Sequence, residues 1–192
     1  DGSYLECQDM FRMSGIFRDV YIYNVPLASV RDHVITSRLY NGYKDAELNV
    51  EVRFDNRDNL TENKQVTVSL YNPKGEKLLD KTLNCALMPD GVTEANFAMN
   101  IGNVKTWTAE TPNLYSIHIV QRNAAGQEEL AFSTKYGFRE VKTRGAQVFI
   151  NGRKVLFKGV NRHDSSPENG RAVTTPEMLR DVMLMKQNNI NT

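Results

Sequence analysis

Between Ala46 and Phe54 every second residue is apolar: Ala46, Leu48, Val50, Val52 and Phe54, with Glu47, Asn49, Glu51 and Arg53 between them. A strand sends successive side chains to opposite faces, so this run predicts a strand with one face buried and one wet. A helix would scatter the same apolar set around its whole circumference. The pattern recurs in Val66, Val68 and Leu70, in Ala95, Phe97, Met99 and Ile101, and in Tyr115, Ile117 and Ile119. Half-buried strands of this kind form antiparallel sheets that need a second layer.

The punctuation fits the same architecture. Asn72-Pro73-Lys74-Gly75 and Asn123-Ala124-Ala125-Gly126 supply residues that preset a turn or tolerate positive φ, and Asn56 to Asn59 reads as a looser loop. About seven short strands between residues 28 and 142 predict an immunoglobulin-like or fibronectin-type-III-like sandwich. No Cys…Trp…Cys spacing accompanies it, which argues against an antibody-type domain. Trp107, beside a strand entry, reads as core or corner packing rather than a sugar-stacking platform. His118 falls on the polar parity of its strand and His33 on an ambiguous one, so both read as solvated.

Past residue 142 the pattern changes. Gln147 to Ile150, then Asn151-Gly152, then Arg153 to Phe157 is a hairpin signal, because Asn-Gly satisfies the positive φ angles of a type I′ turn. The second arm runs on to Val160 and ends at Asn161-Arg162-His163-Asp164. A loop from Ser165 to Val173 leads to a helix that Thr174 or Thr175 can cap, with Pro176 and Glu177 in its first turn. Met178, Leu179, Val182 and Met185 mark its apolar stripe, and Arg180, Asp181 and Lys186 face away. Asn188-Asn189 ends the helix, and Ile190 to Thr192 reads as the start of a next, parallel strand. Strand, loop and helix in this order open an α/β barrel or open parallel sheet, where residues past the strand's C-terminal end carry the chemistry. Asn161, Arg162 and His163 are therefore candidate active-site residues.

Several function classes are excluded or weakened by composition. With 24 Lys+Arg against 23 Asp+Glu, the net charge is near zero, and no basic patch or polybasic run points to nucleic acid or a membrane surface. Apolar runs are far shorter than a membrane span. Cys7 and Cys85 read as free thiols, Cys85 partly buried, and no CxxC, HExxH or paired-His spacing suggests a protein-built zinc site. In the first 26 residues only Val20 to Tyr23 reads as a strand, closed by Pro26, and a lone strand is not a domain. The opening on Asp1, with no signal-like segment, is expected to be a cut through a longer protein, and the compartment stays open between cytoplasm and periplasm.

Three stretches together resemble the glycoside hydrolase family 2 β-galactosidases of the large bacterial type. Asp1 to Glu6 with Gln8 to Val20 resembles the end of that family's sugar-binding jelly-roll domain. Trp107 to Tyr115, with Tyr136-Gly137-Phe138-Arg139-Glu140-Val141, resembles the close of its immunoglobulin-like domain. Asn151-Gly152 through Gly159-Val160-Asn161-Arg162-His163, then Leu184 to Asn191, resembles the start of its (β/α)8 barrel. The resemblance implies a mainly β fold. An immunoglobulin-like antiparallel β-sandwich at 27–142 follows the last strand of a jelly roll at 1–26. It precedes the first hairpin, strand and helix of a (β/α)8 barrel at 143–192.

Residue by residue, the resemblance implies that His163 contacts the galactosyl group and stabilises it in the transition state. It implies that Asp1 binds a galactose hydroxyl and helps hold a sodium ion. Phe11 departs from a usual tryptophan, and Asp164-Ser165-Ser166-Pro167 from an acidic residue followed by two histidines. Family members retain configuration with two glutamates, an acid/base and a nucleophile about 5–5.5 Å apart. Both come from later barrel strands, so this chain is expected to be inactive alone. Mg2+ and Na+ are implied for the parent protein and no cofactor is expected in the 192-residue chain. A β-galactoside is the implied substrate and a homo-oligomer the implied parent. Residues 143–192 of this chain, lacking the rest of a barrel, are expected to pack on another copy of the chain, to pack on the sandwich, or to be mobile. From a different class, the alternative is a non-catalytic carbohydrate-binding or structural sandwich.

Overall fold

The computed structural model describes residues 15–192, together with the backbone pairing of β1 (Glu6–Cys7) with β2 (Met10–Phe11). The chain divides into two compact units, one spanning Asn24–Val155 and one formed by residues up to Tyr23 with Leu156–Thr192.

The first unit is the sandwich. One sheet has the order β3-β4-β7, from β3 (Ala28–Tyr40), β4 (Asp45–Asn56) and β7 (Gly91–Ile101). The other has the order β6-β5-β8-β9, from β5 (Glu62–Tyr71), β6 (Lys77–Leu87), β8 (Tyr115–Arg122) and β9 (Glu128–Tyr136). All neighbouring pairs are antiparallel. The alternating residues do what their period requires. Ala46, Leu48, Val50, Val52 and Phe54 are buried, as are Val66, Val68 and Leu70, Ala95 to Ile101 at every second position, and Tyr115, Ile117 and Ile119. These inward faces form one continuous core, joined by Val104 and Phe138.

The predicted turns follow a shared local rule. Asn72 Oδ1 accepts from the Lys74 and Glu76 amides at 2.8 and 3.0 Å, and Asn123 Oδ1 accepts from Ala125 and Gln127 at 3.0 and 2.9 Å. Each asparagine thereby mimics a backbone turn and fixes the hairpin that follows.

A third sheet, β10 (Val141–Arg144), β11 (Gln147–Ile150) and β12 (Arg153–Val155), belongs to this same compact unit. Its Asn151-Gly152 turn has φ of 48° and 74°, the sign a type I′ turn needs. Asn151 ties it down: its Oδ1 accepts from the Glu140 amide at 2.9 Å and its Nδ2 donates to the Trp107 carbonyl at 3.0 Å. A Cβ at residue 152 would lie 2.9 Å from the Tyr43 hydroxyl oxygen, so close packing as well as φ requires glycine.

Trp107 is corner packing. It is half-buried, its amide donates to the Phe138 carbonyl at 2.9 Å, and its ring lies over Gly137 and under the Arg139 guanidinium, 4.8 Å away. His118 stacks on Tyr71 at 4.5 Å and His33 on Phe132 at 5.2 Å, so both rings are half-covered rather than fully solvated. Cys85 is a half-buried free thiol, held above its ordinary pKa by burial; the Cys7 side chain lies outside the described residues.

Two expectations fail besides that of the hairpin's second arm, which stops at Val155 instead of running on to Val160 because its partner β11 begins only at Gln147. Val20 to Tyr23 forms no strand, and its side chains are exposed, Ile22 fully. Aromatic and β-branched residues favour a strand only where a neighbouring edge supplies ladder hydrogen bonds, and here none does. The second correction concerns α1 (Thr175–Gln187), in which no residue is fully buried. Its more covered face carries Met178, Asp181 and Met185, which stand one below another, whereas Leu179 and Val182 are more than half exposed. Asp181 does not face away.

Candidate functional site

The second unit contains the stretch from Leu156 through the loop to α1. Leu156 to Val160 and Asn191-Thr192 run side by side in the same direction, with Asn191 donating its amide to Lys158 O at 2.9 Å and Val160 donating to Thr192 O at 3.0 Å. The Asn191 side chain clips both sides of this contact: its Oδ1 accepts from Lys158 N at 2.7 Å and its Nδ2 donates to Leu156 O at 2.9 Å. Parallel neighbours need a crossover, and α1 lies between them in the chain. Asn161 to Asp164 start where these contacts stop, although neither Leu156 to Val160 nor Asn191-Thr192 forms a regular strand.

The helix start is built as its sequence prescribes. Thr174 is the N-cap, and Glu177 reaches back to accept from the Thr174 amide and hydroxyl, each at 2.7 Å. Hydrogen bonds from Ser166, then Thr174 and Asn169, hold the Glu177 carboxyl down at about 2, below its ordinary 4.5. A carboxyl depressed by folding stabilises the native state fully above its unfolded pKa. That contribution is lost as pH falls from about 4.5 through about 2. A carboxyl-carbon NMR titration is expected to show this low midpoint for Glu177; a midpoint near 4.5 would mean that the capping box does not form in solution.

The other acidic residues near the changeover are equally engaged. Glu140 pairs with Lys142 at 2.8 Å and accepts from the Tyr43 hydroxyl at 3.0 Å, and both contacts, Lys142 first, hold its carboxyl below the ordinary range. A general acid at neutral pH needs its pKa raised, so Glu140 and Glu177 are shifted the wrong way for that role. Glu168 lies exposed in a turn whose Ser166 Oγ accepts from its amide at 3.3 Å.

His163 is exposed, and its imidazole makes no hydrogen bond, ion pair or ring contact among the described residues. Its carbonyl accepts from Ser165 N at 2.9 Å. Its two chain neighbours are held. Arg162 reaches Asp181 on α1 through Nε and Nη2, each at 2.8 Å, and also hydrogen-bonds Asp164. Asp164 and Asp181 hold the Arg162 guanidinium above its ordinary range. The other side of Asp164 faces Arg18 Nη2 at 3.5 Å. Sequence reasoning singled out Arg162 and His163 but not Arg18, Asp164 or Asp181 as a group, because pairing between residues this far apart leaves no local pattern. Asp1, the other predicted site residue, lies outside the described residues. Among the described residues no three His, Cys, Asp or Glu side chains are grouped to hold a metal, and no helix is long and apolar enough to cross a membrane.

Residues 28–139 match the model of glycosyl hydrolases family 2, and residues 141–192 match the TIM barrel domain of the same family. The chain is 38% identical over 193 residues to a β-galactosidase of Priestia megaterium, covering all of this chain and 19% of that protein. It is 39% identical over 196 residues to a β-galactosidase of Pseudoalteromonas haloplanktis, with all of this chain and 18% of that one covered. The chain thus spans about a fifth of the length of these curated relatives. Among solved structures, a β-glucuronidase of Parabacteroides merdae superposes with a TM-score of 0.72 at 26% identity, over 86% of this chain and 20% of that one. A glycosyl hydrolase family 2 member from Bacteroides cellulosilyticus gives a TM-score of 0.80 at 16% identity, over 87% and 22%, a likeness of fold.

Proposed function

Because the chain belongs to glycosyl hydrolase family 2, we propose that it is part of a retaining β-galactosidase that hydrolyses terminal β-D-galactosyl residues. The observation that carries the reading is the 38–39% identity to two β-galactosidases along the whole chain, against 26% to the β-glucuronidase. In this reading residues 1–26 end a sugar-binding domain, 27–142 connect, and 143–192 begin the catalytic barrel. His163, in the segment that follows Leu156 to Val160, contacts the sugar in this reading.

His163 binds and stabilises; it does not cleave. A free imidazole can donate to a sugar hydroxyl and strengthen that bond as positive charge develops on the glycosyl ring. Cleavage needs an acid/base glutamate and a nucleophile about 5–5.5 Å apart. Glu140 and Glu177 serve local structure instead, which supports the view that the chain alone is inactive. Asp1 would bind a galactose hydroxyl and share a sodium ion beside it.

The full-length enzyme carrying this chain is expected to hydrolyse an aryl β-galactoside, and the 192-residue chain alone to release no product. His163→Ala in the full-length enzyme is expected to lower kcat about 100-fold, the scale of losing one stabilising donor. Turnover by the isolated chain that disappears with His163→Ala would sink this reading. So would a full-length enzyme that cleaves β-glucuronides but not β-galactosides.

A further inference from the structure

His163 lies in the sequence between two residues whose side chains are tied to different parts of their unit. Arg162 is fixed to Asp181 on α1 by two contacts of 2.8 Å. Asp164 offers one carboxylate oxygen to Arg162 and the other to Arg18, 3.5 Å away. Arg18 in turn donates to the carbonyls of Phe17 and Arg171, at 2.9 and 3.3 Å. The guanidinium groups of Arg18 and Arg171 lie 5.3 and 5.1 Å from the centre of the Phe17 ring. The chain of contacts therefore runs from α1 through Arg162, Asp164 and Arg18 to the loop at Arg171. Its Arg162 and Asp164 links flank His163 in the sequence, and the His163 imidazole makes no hydrogen bond, ion pair or ring contact among the described residues.

From this arrangement we infer that Arg162, Asp164, Asp181 and Arg18 form a positioning clamp for His163, with Asp164 as its link. The inference rests on the reading of His163 given above. In the 192-residue chain these side chains are 27% to 49% exposed, and ion pairs of such exposure add little to its folding. What linked tethers do supply is a narrow range of positions for residue 163. A displacement of about 1 Å in a group that touches the reacting sugar can cost on the order of 100-fold in rate. Asp164 is the residue whose loss opens the clamp at its centre, because it alone joins the Arg162 and Arg18 halves.

The test is steady-state hydrolysis of an aryl β-galactoside by the full-length enzyme carrying this chain, as wild type and as His163→Ala, Asp164→Ala, Asp164→Glu and the double variant Asp164→Ala with Arg18→Ala. Asp164→Ala is expected to lower kcat about 10- to 100-fold while KM and melting temperature stay at their wild-type values. Asp164→Glu is expected to restore most of the rate, and Arg18→Ala to have no further effect once Asp164 is alanine. An Asp164→Ala enzyme with wild-type kcat overturns the clamp, as does a rate loss matched by a lower melting temperature and not rescued by glutamate. In those cases a deficient His163→Ala enzyme leaves the site reading intact. If His163→Ala itself turns over like wild type, the site reading falls and the clamp falls with it.

Discussion

Phe138→Ala is expected to lower the stability of the sandwich by about 3–5 kcal/mol, toward the upper end for a buried aromatic. Phe138 lies in no strand, yet its side chain is completely buried between Tyr115 and Tyr136. It meets both rings edge to face, with centroids 4.8 and 5.3 Å away and interplanar angles of 88° and 85°. Such pairs add about 0.5–1.5 kcal/mol each beyond the area they bury. The neighbours cannot collapse into the space left behind, because each is held by its own hydrogen bond. The Tyr115 hydroxyl accepts from Lys105 N at 2.9 Å, and the Tyr136 hydroxyl donates to Ser37 Oγ at 2.8 Å. Trp107 is held to the Phe138 carbonyl itself. Urea unfolding followed by the fluorescence of Trp107, the single tryptophan and a member of this unit, measures the effect directly. A loss below about 1 kcal/mol would show that the site relaxes freely and that the account of pinned neighbours is wrong.

Which parts of this fold the sequence discloses depends on whether one local rule runs unbroken. In Ala46 to Phe54 and Ala95 to Ile101 the alternation has no interruption, and the buried set is read directly. In β3 it breaks: the pairing with β4 shifts between Val30 and Asp32. The buried parity is even at Ala28 and Val30 but odd at Leu39 and at half-covered Ile35 and His33. A bulge reverses which face each later residue occupies, so His33 had no readable side. In β6, Lys81 falls on the half-buried parity of Leu79, Leu83 and Cys85, and only its reach to the Ala98 carbonyl, 3.5 Å away, reconciles a charge with that face. Val20 to Tyr23 failed for the converse reason, a strand-like composition without an edge to join. The place of His163 ahead of a loop and a capped helix was legible from the order of those elements. Its tethers were not, since Arg18 and Asp164 share no sequence pattern and meet only when the chain folds.

The second large effect is expected at Gln121, where a polar residue does what no apolar residue of the same size can. β3 is the edge of its sheet, so part of its backbone has no ladder partner. Gln121, 1% exposed on β8 of the opposite sheet, supplies one: its Oε1 accepts from Val30 N at 2.9 Å and its Nε2 donates to Ala28 O at 3.0 Å. The same Nε2 donates to Glu129 at 3.0 Å, and Glu129 pairs at 3.0 Å with the 5%-exposed Lys64. Gln121→Leu keeps the volume but leaves a buried amide and a buried carbonyl unpaired, at about 1–3 kcal/mol each, so a loss of about 2–6 kcal/mol is expected. It also removes a donor from the Glu129–Lys64 pair, and partly satisfied buried networks are worse than apolar ones. Thr67→Val, on the exposed side of β5, is the control and is expected to stay within about 0.5 kcal/mol of wild type. Hydrogen exchange supplies the second readout: the Val30 amide should lose protection in Gln121→Leu beyond the global change, while the Val50 amide, in the middle of the sheet, should follow the global change alone. If Gln121→Leu unfolds at the wild-type urea midpoint with Val30 still protected, the edge of β3 is closed by something other than this side chain.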